Sequence, residues 1–310
     1  MNLKHRLRVT IVLESLSSIL NLTVAVFNIR YIRKLPPSSV LIVLLCLSDF
    51  GFNANNLITS VIHLCLPDSY YDSQACQLQG AITTLMGLLS MGLVAGLTLF
   101  RYLMIVRGYH IQPTFTIIYI ASLAGISTTI VVFPFVLGVA DAVYGLQPTK
   151  IACTVAWHEP RARGMAISCM IIIAIPIATI SIAYFQIYQK VSREFKAFKD
   201  LSTTSKDHER YTASRHNINQ CLTKEDQERQ KSLLIQSVAL VSCFLIGWTP
   251  YLIFASIQVI TGEHLSLDFE FVAEMCIILN DIFSPILILI FDKVLRSNIL
   301  NAGKTCCCRD

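Results

Sequence analysis

Charged residues are scarce in this chain. Lysine, arginine, aspartate and glutamate make up 15% of its 310 residues, whereas hydrophobic residues make up 54% and the mean hydropathy is +0.59. An ordinary soluble domain carries about 25% charged residues. This shortage argues against a secreted or cytosolic protein. The net charge of +5 does not by itself indicate binding to nucleic acid.

Long apolar runs occupy most of the chain instead. A run of about 20 apolar residues is long enough to cross the hydrocarbon core of a bilayer. The sequence therefore predicts an all-α membrane protein, a single seven-transmembrane helix bundle over residues 1–310. A cytoplasmic loop is expected at 192–231, and a cytoplasmic tail at 292–310 that begins with a short amphipathic helix. The predicted spans are 9–32, 38–66, 77–106, 114–145, 164–190, 232–261 and 268–291.

Lysine and arginine are unevenly divided between the two sets of connecting segments. One set holds little beyond Lys150, Arg161 and Arg163, and the other holds most of the rest. Because cytoplasmic segments carry the excess of these residues, we expect a multi-pass plasma-membrane protein with an extracellular N-terminus and a cytoplasmic C-terminus. The basic segment LKHRLR, before the first run, departs from this pattern.

The cysteines fall into groups by position. Cys76 opens the third run on the predicted outer side, and Cys153 lies in the outer loop between the fourth and fifth runs. Disulfides persist outside the cell, so we expect these two to pair, with Cys65 as a third outer cysteine. Three further cysteines lie next to the membrane and are candidates for S-palmitoylation: Cys306, Cys307 and Cys308. Metal binding is the weaker alternative for them, because no histidine completes a site.

Ionisable residues within the apolar runs mark candidate sites, because a charge at membrane depth is costly. Asp49 lies midway along the second run and Asp281 along the seventh. One alternative is a carboxyl pair that shares a proton and locks the helices together. The other is a site for a small cation such as sodium, built from hard oxygen ligands: Asp49, Ser90, Asn280, Asp281 and Ser284.

Prolines lie within the fifth, sixth and seventh predicted spans. Pro176, Pro250 and Pro285 each remove a backbone hydrogen bond and permit a kink. Trp248 stands two residues before Pro250. An aromatic ring beside a kink predicts a hinge on which a bound molecule can press.

These positions together resemble the rhodopsin-like (class A) G-protein-coupled receptors. Arg101 and Tyr102 follow Cys76 at the family's spacing for its Asp/Glu-Arg-Tyr motif, and the resemblance covers nearly the whole chain. The matching residues are Asn21, Asp49, Cys76, Arg101, Tyr102, Cys153, Pro176, Tyr184, Phe244, Trp248, Pro250 and Pro285.

The chain also departs from the family pattern. Phe100 replaces the acid before the arginine, and Ser284 and Ile288 replace the asparagine and tyrosine of the seventh-span motif. The fourth run lacks the family's tryptophan. Because no acid precedes Arg101, we expect high activity without a ligand.

The resemblance also limits the ligand. Ile278 occupies the position of the retinal-binding lysine of opsins, which argues against retinal, and we expect no cofactor beyond a bound sodium ion. Thr83 occupies the position of the aspartate that binds monoamines, which argues against a monoamine salt bridge there. The pocket residues expected by position are Gln79, Thr83, Met86, Trp248, Tyr251 and Glu274.

The resemblance implies a receptor rather than an enzyme. It would pass a signal from an extracellular or membrane-borne small molecule or peptide to a heterotrimeric G protein, with membrane lipid as a further partner. One alternative is a seven-span transporter or ion pathway that uses Asp49 and Asp281, although no inverted repeat is seen. Another is a degenerate receptor that does not couple. The implied coupling and switch residues are Arg101, Tyr102, Tyr184, Phe244, Trp248, Pro250 and Pro285.

Overall fold

Seven long helices dominate the computed structural model, which describes residues 2–66, 74–109, 111–204, 216–263, 265–292 and 294–300. Within these residues, seven helical segments are long and apolar enough to cross a membrane, which confirms the predicted seven-transmembrane bundle. In chain order the helices are α1 (Leu3–Ile29), α2 (Pro37–Cys65), α3 (Gln74–Arg107), α4 (Pro113–Val136), the short α5 (Ala140–Val143), α6 (Arg163–Thr204), α7 (His216–Thr261), α8 (Leu267–Phe291) and α9 (294–300).

Two short strands, β1 (Tyr144–Leu146) and β2 (Cys153–Val155), form an antiparallel hairpin between α5 and α6. A disulfide joins Cys76 at the start of α3 to Cys153 of this hairpin, with the Cα atoms 5.5 Å apart. The predicted pairing is therefore confirmed. We call this end of the bundle the hairpin end. The opposite end, where Arg101 lies near the end of α3, is called the arginine end.

Tyr144 fixes the hairpin to α4 and pairs with Val155 in the strand register. Its hydroxyl donates a hydrogen bond to the backbone oxygen of Val131 at 3.0 Å, and its ring stacks on Phe135 with the centroids 5.7 Å apart. Burial raises the pKa of Tyr144. The hairpin therefore has a fixed position over the bundle, held by a covalent bond on one side and an aromatic anchor on the other.

The first helix begins before its predicted start at residue 9. The side chain of Asn2 caps α1 by accepting a backbone N–H of the first turn, so the segment LKHRLR is helical. Within it Arg6 is buried, and its guanidinium donates to the backbone oxygen of Leu267 at 2.9 Å and to the carboxylate of Asp268 at 2.5 Å. Arg6 of this basic segment therefore ties α1 to the start of α8.

Three other predicted boundaries differ from the structure. α4 ends at Val136 rather than at residue 145, because Gly138 follows with a φ of +68°, a left-handed conformation that ends helices and that residues with a Cβ rarely adopt. The remainder of that apolar run forms α5 and β1. At the arginine end, α6 continues to Thr204 and α7 starts at His216, so both helices extend into the segment predicted as the 192–231 loop.

α3 lies at the centre of the bundle and contacts α2, α4, α6 and the hairpin. Its Gly92 and Gly96 face α4, where a Cβ on either residue would lie within 3 Å of Leu123 or Tyr119. The Tyr119 hydroxyl donates to the backbone oxygen of Gly92 at 2.5 Å. Small residues allow such close approach of membrane helices, and this contact fixes α4 against α3.

Candidate functional site

A cavity lies inside the bundle at the hairpin end. Its wall is mostly apolar, and its volume of about 70 Å³ has room for a few water molecules. Four of the six residues expected in a ligand pocket line it, namely Thr83, Trp248, Tyr251 and Glu274. Ile278, at the position of the opsin lysine, lies in the same wall.

The other two expected pocket residues contact α2 instead. The side-chain oxygen of Gln79 accepts a hydrogen bond from the Thr59 hydroxyl at 2.8 Å, and the Met86 sulfur packs against Gly51. Neither residue is among those that line the cavity. The sequence positions of Gln79 and Met86 correctly predicted that both lie on α3. They could not show toward which neighbouring helix each side chain points.

The hairpin forms the roof of the cavity, to which it contributes Gln147, Ile151, Thr154 and Trp157. The indole N–H of Trp157 donates to the Tyr251 hydroxyl at 3.2 Å, and the two rings meet edge to face with centroids 6.4 Å apart. Trp157 was not predicted as a pocket residue. The one feature of the sequence that could have indicated it is its place, as an aromatic residue, shortly after the disulfide cysteine Cys153.

Trp248 forms the floor of the cavity. Its ring lies 6.2 Å from that of Tyr251 and 6.0 Å from that of Phe244, the next aromatic side chain toward the arginine end. Gly87 of α3 faces the indole, since a Cβ there would be in van der Waals contact with the ring edge at 3.6 Å. Pro250 lies inside α7 two residues on. The floor of the cavity is therefore an aromatic ring close to a proline inside its helix, where a kink is permitted.

The polar residues of the middle of the bundle form one buried cluster. The Ser90 hydroxyl donates to the Asp49 carboxylate at 2.7 Å, and the side-chain amide of Asn53 donates to the Asp281 carboxylate at the same distance. Asn280 donates to Asp281 at 3.1 Å, and its own amide oxygen has no partner among the described residues. Asn53 was not predicted as a member of this cluster, although it lies one helical turn after Asp49.

A second cavity, of about 20 Å³, lies between this cluster and Arg101. It is close to the arginine end and adjoins the floor residue Phe244. The polar and aromatic side chains that line it are Asp49, Ser90, Thr98, Arg101, Tyr184, Phe244, Asn280 and Ser284.

Arg101 is buried, and its partner is a tyrosine. Its guanidinium is hydrogen-bonded to Tyr184 of α6 and also interacts electrostatically with Asp292. Phe100 faces another way and packs against Phe115 of α4, with the ring centroids 5.6 Å apart. The neighbouring acid that the sequence lacks is therefore replaced by a hydroxyl from another helix.

Other contacts order the arginine end around α3. The ammonium group of Lys190 on α6 donates to the backbone oxygen of Ile105 at 2.7 Å, and the Tyr102 hydroxyl accepts from Arg107 at 3.2 Å. Asp292 caps α9 by accepting backbone N–H groups of its first turn, and the predicted short C-terminal helix is thus present. The cysteines predicted to carry lipid lie outside the described residues: Cys306, Cys307 and Cys308.

The chain is similar to known membrane receptors. Residues 20–287 match the family described as "7 transmembrane receptor (rhodopsin family)". The visual pigment-like receptor peropsin of Mus musculus is 21% identical over 242 residues, which are 78% of this chain and 67% of that protein. The human peropsin is 22% identical over 238 residues, 76% of this chain and 65% of that protein. The chain thus spans about two thirds of the length of these curated relatives.

A solved structure shares the fold. The crystal structure of squid rhodopsin superposes on this chain with a TM-score of 0.74 and 20% sequence identity, and the match covers 98% of this chain and 89% of that one.

Proposed function

The chain belongs to the rhodopsin family of seven-transmembrane receptors, and from this membership we propose that it is a G-protein-coupled receptor. In this function the hairpin end faces the cell exterior and receives a ligand. The arginine end faces the cytoplasm and binds a heterotrimeric G protein. The protein transmits a signal and does not catalyse a reaction.

The observation that carries this proposal is the row of buried side chains between the two ends. Trp248 forms the floor of the ligand cavity, Phe244 packs against it, and Phe244 also lines the smaller cavity that contains Arg101 and Tyr184. A ligand can bias two arrangements of the bundle only through its different affinity for them. We propose that the position of Trp248 beside the kink at Pro250 distinguishes these arrangements.

The proposed ligand is a small molecule held without a covalent bond. The curated relatives are visual pigment-like receptors, but Ile278 stands in the cavity wall and α8 contains no lysine with which retinal could form a Schiff base. The hairpin roof favours a compact ligand over a peptide.

We also propose that the polar cluster binds a sodium ion. The cluster offers two carboxylates and an amide oxygen, that of Asn280, which has no partner among the described residues, and such hard oxygen atoms suit a small cation. The ion would neutralise charge buried between the helices. Its proposed ligands are Asp49, Ser90, Asn280, Asp281 and Ser284. At the cytoplasmic face, lipid on Cys306, Cys307 and Cys308 would hold α9 against the membrane.

Nucleotide exchange on purified G proteins tests the proposed function. With the receptor reconstituted in lipid nanodiscs and no ligand added, we expect exchange above that of empty nanodiscs for at least one G-protein class. Arg101→Gln should reduce this exchange to background, because it removes the buried cation at the proposed G-protein site. Arg30→Gln is the matched control: it removes an exposed arginine at the same end and should leave the exchange unchanged.

Exchange that is absent for every G-protein class, or equal for wild type and Arg101→Gln, would contradict the proposal. A transporter that uses Asp49 and Asp281 predicts net charge movement across a voltage-clamped membrane, whereas a receptor predicts none. The same reconstituted protein can be examined for both.

A further inference from the structure

Three glutamates are buried at the hairpin end, and the proposed signalling path does not use them. Glu14 on α1 is 0% exposed, and Glu270 and Glu274 on α8 are 2% and 7% exposed. Glu274 interacts electrostatically with both of the others. The three acidic side chains are therefore gathered in one buried region at the hairpin end.

Two of these carboxylates line the ligand cavity with unused hydrogen-bond acceptors. Among the described residues, neither oxygen of Glu14 and only one oxygen of Glu274 has a partner. That one oxygen accepts from the Thr149 hydroxyl at 3.3 Å. The Ser60 hydroxyl interacts with Glu14, but it donates its hydrogen bond to the backbone oxygen of Ile151 at 3.2 Å. Three carboxylate oxygens thus remain available to a ligand.

Gln147 adds a further polar group to the same wall. Its side chain lies in the roof, it is 7% exposed, and neither its amide oxygen nor its amide nitrogen has a partner in the described part of the molecule. Leaving a polar group buried without a hydrogen bond is unfavourable, and more so for a charged group. A ligand that satisfies these groups together would therefore gain binding energy that an apolar molecule cannot.

We propose that the cavity binds a protonated primary amine carried on a small apolar body, with the ammonium group between Glu14 and Glu274 and in hydrogen-bonding contact with Gln147. An ammonium group has three N–H donors and no acceptor, which matches a wall that offers acceptors from three side chains. This inference rests on the proposed receptor function and names its ligand class. In this inference the ammonium group of the ligand lies between α1 and α8. It does not bind at Thr83 of α3, the position of the monoamine-binding aspartate, because that side chain carries no charge.

The rest of the wall agrees with this ligand class better than with a metal ion. The described residues contain no group of three or more histidine, cysteine, aspartate or glutamate side chains arranged to hold a metal. Beyond the acids the wall is mostly apolar, with Trp248, Tyr251 and Ile277 available to the body of the amine. Because the cavity volume is only about 70 Å³, the cavity must enlarge to admit such a body, and Trp248 and Tyr251 are among the side chains that line it.

Thermal unfolding of the purified receptor in detergent tests the inference without any G protein. The probes are 2-phenylethylamine, tryptamine and hexylamine, each compared with its N-acetyl derivative, which keeps the apolar body and lacks the charge. We expect at least one amine to raise the unfolding midpoint while its N-acetyl derivative does not. Glu14→Gln and Glu274→Gln should each raise the half-maximal amine concentration about tenfold or more, because one partner of a buried charge pair is removed.

Two further variants make the outcome specific. Glu263→Gln removes an exposed carboxylate at the same end but outside the cavity, and it should bind the amine as the wild type does. Glu274→Asp retains the charge and should bind more tightly than Glu274→Gln. The unfolding transition of each variant without ligand shows whether it is folded, and where a glutamine variant is not, the aspartate variant at that position takes its place.

The inference is overturned if none of the three amines stabilises the receptor, if the N-acetyl derivatives stabilise it equally, or if substitutions at both glutamates leave the amine affinity unchanged. A parallel nucleotide-exchange assay separates this result from the proposed function. Charge-dependent amine binding that never alters exchange on any G protein supports the ligand class and contradicts the receptor function. Exchange above background without amine binding supports the receptor function and contradicts the ligand class.

Discussion

Phe100 and Arg101 are neighbours in the sequence, but their side chains belong to different contacts. Phe100 is fully buried against the aromatic rings of α4, with Phe115 and Tyr119 at 5.6 and 5.9 Å. Arg101 is hydrogen-bonded to Tyr184 of α6. Arg101 therefore takes part in a hydrogen bond between two helices, and no acid stands beside it on its own helix.

Replacing this phenylalanine by an acid should restore the family's arrangement. We expect Phe100→Asp to lower ligand-free nucleotide exchange several-fold, because a carboxylate beside Arg101 competes with the G protein for the guanidinium. The change also removes a fully buried ring, at a cost of about 3–5 kcal/mol of stability, and burial of a carboxyl group in its place adds to that cost, so exchange must be expressed per folded receptor. Phe100→Leu is the matched control, since it stays apolar. Exchange by Phe100→Asp that equals or exceeds that of Phe100→Leu would show the idea to be wrong.

Residues whose type is rare within a membrane span could be identified from the sequence. Residues whose role depends on contact with a distant residue of the chain could not. Asp49 and Asp281 stood out because a carboxyl group at membrane depth is costly. Trp157 lies in a loop, where a tryptophan is not unusual, and its contact with Tyr251 spans 94 positions of the chain. A contact between residues so far apart in the chain produces no local sequence pattern from which it could be predicted.

Helix α4 packs closely against α3 at Gly92 and Gly96. We expect Gly96→Ala to reduce stability by about 1–3 kcal/mol, the usual effect of overpacking, because the new methyl group would meet the Tyr119 ring at less than 3 Å. Gly125→Ala is the matched control on α4, where a Cβ has nothing within 4 Å. It should be neutral or stabilising, because alanine favours a helix more than glycine does. Thermal unfolding in detergent measures both, and equal midpoints would contradict the role of the α3–α4 contact.

The existence of the seven helices could be predicted from hydropathy, whereas some of their ends could not. The run at 114–145 is mostly apolar, but the structure divides it: the helix ends at Val136, and the last part of the run forms α5 and the start of β1. Gly138 was a signal for the break, although a single glycine is common within membrane helices. The start of α1 was missed because the pairing of Arg6 with Asp268 depends on a residue near the far end of the chain.

At the scale of the whole molecule, the polar cluster joins four of the seven long helices. Asn21 of α1 donates to the backbone oxygen of Asp281 on α8 at 2.8 Å, and Ser90 of α3 donates to Asp49 of α2. A sodium ion bound there should therefore stabilise the bundle as a whole. We expect the unfolding midpoint in detergent to be several degrees higher in sodium chloride than in choline chloride at equal ionic strength, because an ion that binds the folded state alone stabilises it.

The matched variants separate this site from a general effect of salt. Asp49→Asn should abolish the sodium-dependent rise in the midpoint, whereas Asp141→Asn, which removes an exposed carboxylate at the hairpin end, should retain it. A midpoint that does not respond to sodium in the wild type, or that responds equally in Asp49→Asn, would contradict the site.

The order of the motifs along the chain was sufficient to predict the family and the seven-helix bundle, because each motif occupies a set place on a separate span. The direction in which each side chain faces was not available from that order. Gln79 and Met86 lie on the expected helix but contact α2, while Gln147 and Glu14, which no motif indicated as ligand contacts, line the cavity.

The roof of the cavity is attached to three different spans. The disulfide of Cys153 fixes it to α3, the Trp157 indole bonds to Tyr251 of α7, and the Thr149 hydroxyl bonds to Glu274 of α8. Because one short hairpin holds all three attachments, α7 cannot shift relative to α3 and α8 at this end without breaking or straining one of them. The loop therefore constrains the spacing of these three helices, and we expect a change in any of its attachments to alter the activation of the receptor even where the ligand is not contacted.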